Sequence, residues 1–389
     1  MSAKTPAILV IVGITGDLAA RKLLPAIEAV GSAGLLPKDF HLIGTTRQSN
    51  ITVDDLRAKT GPFVREHLEF FQMDASDFAS YQRLAQHLLD IEKKFGVPAQ
   101  RLFYLSVPPD ASSAIIEKLG TSGLAQAPQT KLLLEKPFGV DLASATELST
   151  HIEGYFKAEQ VYRIDHYLAK DIAQELARGW DTKSVESIVI RAAEEVGIES
   201  RVQFYEQTGA LRDVVQSHLL ELAALVCMPP DTKEVPQRRL EALKNLSVST
   251  DKPLTTLVRR GQYEGYRAEV QNPTSIVETY VRVELESHDP HLAGVPIALV
   301  TGKKLGAKTT EVRIVYKRGN ELVFAEKRGQ SRDAYEKVLV DAIGSNRETF
   351  VLGGEVLESW RIIAPVQEAW KKEGSDLFVY PPGSEPSFS

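Results

Sequence analysis

Ile8-Leu9-Val10-Ile11-Val12-Gly13-Ile14-Thr15-Gly16-Asp17-Leu18-Ala19 runs from a short apolar segment through two glycines into an amphipathic pattern. Read as strand, turn and helix, it is the opening of a dinucleotide-binding unit. Glycines there let the backbone turn sharply and approach a pyrophosphate, while the helix amino end supplies free N–H donors and a positive dipole end. The spacing is Gly-x-x-Gly-x-x-Ala, not the common Gly-x-Gly-x-x-Gly, so the motif alone is weak and a plain tight turn competes with it. Its place directly after the first strand favours the phosphate loop. Gly13, Thr15, Gly16, Asp17 and Leu18 are the candidate cofactor contacts.

Outward from this loop the pattern repeats. Apolar runs at 8–12, 41–44, 70–73, 102–106 and 131–135 alternate with helical patterns at 21–30, 53–59, 78–95, 111–119 and 143–156. Such alternation implies a parallel sheet covered by helices on both faces. The character then changes. Segments 185–192, 275–286, 297–301, 312–317 and 321–326 are β-rich, and Val277, Thr279, Val281, Val283 and Leu285 alternate with Tyr280, Arg282 and Glu284. Arg318-Gly319-Asn320 reads as a hairpin turn. With helices at 211–226, 333–343 and 357–370, the second half reads as α+β with a largely antiparallel sheet. The expected domains are 1–165, Rossmann-like, and 166–389, for substrate binding and oligomerisation.

The second strand ends in Gly44-Thr45-Thr46-Arg47-Gln48, with no Asp or Glu between Phe40 and Thr52. An acidic residue there would grip a ribose 2′-OH, whereas Arg accommodates a 2′-phosphate. Arg47 and Gln48 therefore favour NADP, with NAD the weaker alternative; the plain reading of Arg47 is a solvated loop charge.

Composition excludes several classes. The 389 residues carry 46 Lys+Arg against 52 Asp+Glu, a formal charge of −6, with no basic block. Neither nucleic acid nor an anionic membrane surface is an expected partner. At 43% hydrophobic and 25% charged the chain is of ordinary globular type. Cys227 is the single cysteine, which excludes an intramolecular disulfide and a cysteine-rich zinc site. The amino-terminal apolar run is too short for a secretion signal or a membrane span. A cytoplasmic protein without a metal is the expectation.

Polar function is dense in three further places. Glu135-Lys136-Pro137-Phe138-Gly139 closes an apolar run where open parallel sheets bind ligands. Tyr162 to Lys170 holds acid, imidazole, phenol and ammonium within nine residues, and 209–227 carries Asp213 and His218 amid leucines and valines. At these residues the chain resembles the glucose-6-phosphate dehydrogenase family. The hallmark Arg-Ile-Asp-His-Tyr-Leu-Gly-Lys stands at 163–170 with Ala169 in place of Gly, Gly-Asp-Leu-Ala-x-x-Lys stands at 16–22, and Glu-Lys-Pro-Phe-Gly is intact. Segments 197–201, 209–218, 295–305, 333–336 and 360–361 continue the likeness nearly to the carboxyl end, with Ser217 where Asn is usual.

The resemblance implies oxidation of glucose 6-phosphate at C1 to the 6-phospholactone, with hydride passing to NADP. It implies His218 as the base that removes the hydroxyl proton and Asp165 as its carboxylate partner, roles that suit an imidazole titrating near neutrality. It further implies His166, Tyr167, Lys170 and Lys303 for the substrate phosphate, Lys136 and Lys22 near sugar and nicotinamide, and Glu194 and Asp213 for sugar hydroxyls. His166 and Lys170 share a face if their segment is helical. Phe103 to Pro109 resembles the strand and loop that border the cofactor, which brings in Ser106 and Pro108, with Tyr104 expected in the core.

The chain is short for this family, the losses falling after Lys170 and after Glu326. Lys308 stands where an Arg often assists the phosphate, and Lys cannot form the bidentate fork. The competing functions are a dehydrogenase of another sugar phosphate and a non-catalytic paralogue; the latter predicts broken catalytic residues, which are here intact. A homodimer is the expected assembly.

Overall fold

The computed structural model describes residues 5–47, 60–229, 234–249, 253–326, 333–372 and 377–386. They fall into two compact units. The first is drawn from Met1–Phe138, Thr146–Ala169 and Arg332–Gly353, the second from Gly139–Ala145, Lys170–Ser331 and Gly354–Ser389.

In the first unit β1 (Ala7–Val12), β2 (Phe40–Thr46), β3 (Leu68–Gln72), β4 (Gln100–Leu105), β5 (Thr130–Glu135) and β6 (Val161–Ile164) are parallel, in the order β6-β5-β4-β1-β2-β3. A two-residue strand late in the chain, β14 (Phe350–Val351), adds antiparallel to β6. Every position of β1 is buried, as required of a strand covered on both faces. Leu9, Ile11, Leu42 and Leu102 pack with Ile27, Val338 and Leu339 on one face; Ile8, Val10, Ile43 and Phe103 pack with Leu84, Leu88, Ile91 and Ile115 on the other. The helix Phe78–Phe95 lies where the sequence pattern put it. Asp77 caps its start by accepting the Ala79 N–H at 3.0 Å, and Gly96 ends it at φ 75°.

The two units are not separated by a single cut. The helix Ala334–Gly344, read from the sequence as part of the second half, belongs to the first unit. Its Val338, Leu339, Ala342 and Ile343 form an apolar stripe that covers the first sheet. Periodicity reveals that such a stripe is buried, not what buries it.

The second unit is an α+β unit built on an eight-stranded sheet. Its path runs β13 (Glu321–Ala325), β12 (Thr309–Tyr316), β7 (Val185–Ala193), β11 (Ile297–Gly302), β10 (Tyr280–Ser287), β9 (Val258–Tyr263) and β15 (Leu377–Tyr380), with β8 (Leu246–Val248) also on β10. Pairing is antiparallel except for β7 with β11 and β9 with β15. The period-two reading holds in β10: Val281, Val283 and Leu285 are buried, while Arg282 and Glu284 pair with each other on the opposite face. The β12–β13 hairpin turns at Gly319, whose φ of 85° suits glycine.

Candidate active site

Five of the segments singled out above follow adjacent parallel strands of the first sheet. His166 and its neighbours follow β6, Lys136 follows β5, Ser106 follows β4, Gly13 follows β1 and Arg47 follows β2. The carboxyl ends of a doubly wound sheet are where such folds bind ligands, because there the helix amino ends converge.

The glycine loop is built for close approach. Gly13 sits at φ 88°, and its N–H and that of Ile14 both reach the Thr45 carbonyl, at 3.1 and 3.2 Å. A Cβ on Gly13 would lie 2.5 Å from the Ser106 carbonyl oxygen. The Gly16 N–H returns to the Gly13 carbonyl at 3.0 Å, and Ala20 bonds Gly16 as the helix begins. The Ser106 hydroxyl, beside Gly16, is buried and has no partner among the described residues. Helix Pro109–Thr121 opens directly after Pro108. A backbone cradle, two helix amino ends and an orphaned hydroxyl fit a dinucleotide pyrophosphate. Leu18 is half-buried, Thr15 Oγ1 lies 3.5 Å from Thr46 Oγ1, and Asp17 pairs at the surface with Arg21 at 2.7 Å. Lys22 reaches Asp333 at 3.3 Å, the same Asp that caps helix Ala334–Gly344 through the Tyr335 N–H. Arg47 is exposed. The Ser76 hydroxyl and N–H hold the Asp74 carboxyl below its usual range, and Arg47 adds its charge to that effect. Gln48 lies outside the described residues, as does the expected helix at 53–59.

Lys136 precedes Pro137 across a cis peptide bond. Beside it, Glu135 accepts a hydrogen bond from Tyr104, which is a core residue as expected. Burial pushes the Glu135 carboxyl up to about 7; the Tyr104 hydroxyl and Lys136 offset part of this, while the Asp165 charge adds to it. Asp165, 3% exposed, accepts the Tyr167 N–H at 2.9 Å, and the His166 and Tyr167 rings meet edge to face at 5.1 Å. Residues 166–169 form a turn, and helix starts only at Asp171, so His166 and Lys170 do not share a helical face. The Asp165 carboxylate fixes that turn by bonding two residues ahead, which competes with helical bonding.

In the second unit Glu194 and Lys303 follow the adjacent parallel strands β7 and β11 and form an ion pair at 2.6 Å. Lys303 also stands over the Tyr205 ring at 5.7 Å. Lys170 pairs with Glu326 at 2.9 Å, and Lys308 is exposed just before β12. Asp213 and His218 are 6% and 4% exposed, on a π-helical segment, Leu211–Leu219, that continues as helix through Cys227. Arg201 reaches Asp213 at 3.3 Å. Wide π turns shift side chains from the α-helical faces and recur at functional sites.

Comparison with known proteins decides the family. A family model described as glucose-6-phosphate dehydrogenase, NAD binding domain, matches residues 10–175, and one described as glucose-6-phosphate dehydrogenase, C-terminal domain, matches 173–331 and 322–387. The chain belongs to the glucose-6-phosphate dehydrogenase family. A glucose-6-phosphate 1-dehydrogenase from Chlamydia muridarum is 32% identical over 464 aligned positions, which cover 94% of this chain and 91% of that protein. Because the alignment is longer than these 389 residues, the relative carries segments absent here. The crystal structure of glucose-6-phosphate 1-dehydrogenase from Mycobacterium avium matches with TM-score 0.83 at 29% identity, over 97% of this chain and 95% of that one. A glucose-6-phosphate dehydrogenase in complex with glucose-6-phosphate shares the fold at TM-score 0.90 and 24% identity, over 100% and 97%.

Within this glucose-6-phosphate dehydrogenase family member, sequence reading does not find three partners of the predicted side chains, Arg201, Glu326 and Tyr205, nor one carboxylate, Glu278, that holds the backbone beside Asp213. Glu326 engages Lys170 from 156 residues away and nothing local marks it, whereas Arg201 lies 12 residues before Asp213, in the segment 197–201 that continues the family likeness. Tyr205 is completely buried against Lys303, and Glu278 is buried at the amino end of the segment bearing Asp213. A lone acid between Val277 and Thr279, in a run otherwise read as strand, was the available signal for Glu278.

Proposed function

We propose that this chain oxidises glucose 6-phosphate at C1 to 6-phospho-D-glucono-1,5-lactone, with NADP as the oxidant. The supporting observation is family membership in a chain that keeps His218, Asp165, Lys136, His166, Tyr167, Lys170 and Lys303. Bound NADP would accept the C1 hydride at its nicotinamide.

In this reading His218 takes the C1 hydroxyl proton as hydride leaves, so negative charge does not accumulate on the oxygen. Asp165 orients the imidazole and stabilises its protonated form, a role that suits its burial and its fixation by the Tyr167 N–H. Lys170 and Lys303 would exchange Glu326 and Glu194 for the substrate phosphate. Swapping a carboxylate for a dianion keeps each ammonium paired throughout. His166, Tyr167 and Lys308 complete the phosphate donors. Glu194, released from Lys303, and Asp213 accept bonds from sugar hydroxyls. Lys136 and Lys22 serve the sugar and the nicotinamide.

Gly13, Thr15, Gly16, Asp17, Leu18, Ser106 and Pro108 would hold the cofactor pyrophosphate and adjoining ribose. Arg47 and Gln48 would read the 2′-phosphate, which makes NADP the preferred cofactor and NAD the poorer one. We further infer a homodimer in the cytoplasm; sedimentation velocity of the purified chain checks the assembly.

A panel of hexose phosphates, each with NADP and NAD, followed by absorbance of the reduced cofactor, tests the reading. Glucose 6-phosphate with NADP should give the highest kcat/KM. A different sugar phosphate turned over at much higher kcat/KM would overturn it.

A further inference from the structure

Glu278 is 7% exposed, and its side chain is turned to the backbone of a neighbouring helix. Its Oε1 accepts the Leu211 N–H at 2.9 Å, and its backbone carbonyl accepts the Ala210 N–H at 3.0 Å. These donors open the helix that carries Asp213 two residues on and His218 seven residues on. A helix amino end leaves its first N–H groups without internal partners, so a carboxylate there both satisfies a donor and meets the positive dipole end. Gly209, at φ 64°, makes the room: a Cβ there would lie 2.4 Å from the same Oε1.

The next residue ties this contact to the other side of the site. Thr279 is fully buried; its Oγ1 accepts the Tyr263 N–H at 2.9 Å and bonds the Tyr380 hydroxyl at 2.9 Å. The Thr279 carbonyl accepts the Lys303 N–H at 2.9 Å, and the Tyr380 hydroxyl donates to the Lys303 carbonyl at 2.7 Å. One dipeptide therefore grips the amino end of the His218 helix through its acid and the backbone of Lys303 through its threonine. We propose that Glu278, seated through Thr279 on the second sheet, is a positioning residue that fixes Asp213 and His218 relative to Lys303. Its kinetic consequence rests on the dehydrogenase reading above; its structural consequence does not.

Burial pushes the Glu278 carboxyl up, and the Leu211 N–H, its own N–H, Arg212 and Arg260 pull it back in that order. A glutamine would keep the acceptor oxygen for Leu211 without the charge. An alanine would remove both. Misplacing catalytic groups by about 1 Å can cost about 100-fold in rate, so alanine should be far worse than glutamine.

The test compares full-chain wild type, Glu278→Gln, Glu278→Ala and Gly209→Ala by amide hydrogen exchange and by steady-state kinetics with glucose 6-phosphate and NADP. In Glu278→Ala, exchange across 209–219 should accelerate roughly tenfold, the order expected from losing a cap. Its kcat should fall about 10- to 100-fold and the sugar KM should rise, while the KM for NADP stays within about twofold. Glu278→Gln should restore slow exchange and most of kcat. If Glu278→Ala does not fold, Gly209→Ala, which displaces the carboxylate sterically, must reproduce fast exchange and low kcat. Unchanged exchange in 209–219 would overturn the proposal, as would unchanged kinetics or a glutamine variant as poor as alanine in both assays. Fast exchange in the variant of a wild type inactive on glucose 6-phosphate would sink the dehydrogenase reading and leave the contact standing.

Discussion

Gly13→Ala tests the phosphate loop at its tightest point. At φ 88° an L-residue pays roughly 1–2 kcal/mol for the left-handed conformation. The new Cβ would also meet the Ser106 carbonyl oxygen at 2.5 Å and the Val107 side chain at 3.0 Å. Neither the loop nor Ser106 can yield freely, because the Gly13 N–H is held by Thr45 at 3.1 Å and the Ser106 N–H by the Val12 carbonyl at 2.9 Å. Relief therefore breaks at least one of these bonds, a further ~1 kcal/mol, and leaves a buried group unsatisfied. The total is about 3 kcal/mol, which for a unit of this size lowers Tm by roughly 6–12 °C. On the proposed reading, displacing the loop costs the pyrophosphate one charge-assisted hydrogen bond, about 1.5–3 kcal/mol, or a 10- to 100-fold weaker NADP Kd. Gly34→Ala is the control: φ is 68°, but nothing lies within 4 Å of its Cβ. It should cost only the conformational part and leave NADP binding intact. Thermal unfolding and calorimetric titration of both variants decide the matter. Equal Tm losses, with NADP affinity unchanged in Gly13→Ala, would refute the close-approach argument.

His218→Asn should lower kcat about 10²- to 10⁴-fold with the sugar KM nearly unchanged, as for a lost general base; near-normal kcat would remove His218 from that role. Arg47→Ala should weaken NADP far more than NAD in paired titrations, whereas equal losses would mean that Arg47 does not read a 2′-phosphate. Glu135 titrates at about 7 when folded against an ordinary 4.5, so folding favours its protonated form. Stability should therefore fall as pH rises from about 4.5 through 7, by roughly 3 kcal/mol, with no contribution to the slope below that window. Glu135→Gln keeps an acceptor for Tyr104 and cannot ionise, so its unfolding free energy should be flatter across the same window. An identical slope in both proteins would show that Glu135 is not the titrating group.

What was legible in the chain divides by range. The first sheet was readable because each of β1 to β5 is an apolar run bounded by turn residues, and the Phe78–Phe95 helix because its cap, apolar stripe and terminal glycine are all local. Strand β6 and the two-residue β14 were missed because four and two residues carry no period. Helix Ala334–Gly344 is legible as a helix but not as part of the first unit, since an apolar stripe names no partner. The same limit applies to the site. Asp165, Lys136, Asp213 and His218 stand in long motifs, so their types and spacing could be matched to a chemistry. Glu194 and Lys303 are 109 residues apart and meet only because β7 and β11 are neighbours. Glu278 lies 67 residues from the N–H that it accepts, and its register beside Thr279 is indistinguishable, in sequence, from an outward position on a strand. Groups that react announce themselves by residue type. Groups that hold them in place are ordinary carboxylates, tyrosines and threonines, and only the pairing of strands separates them from the many that face solvent.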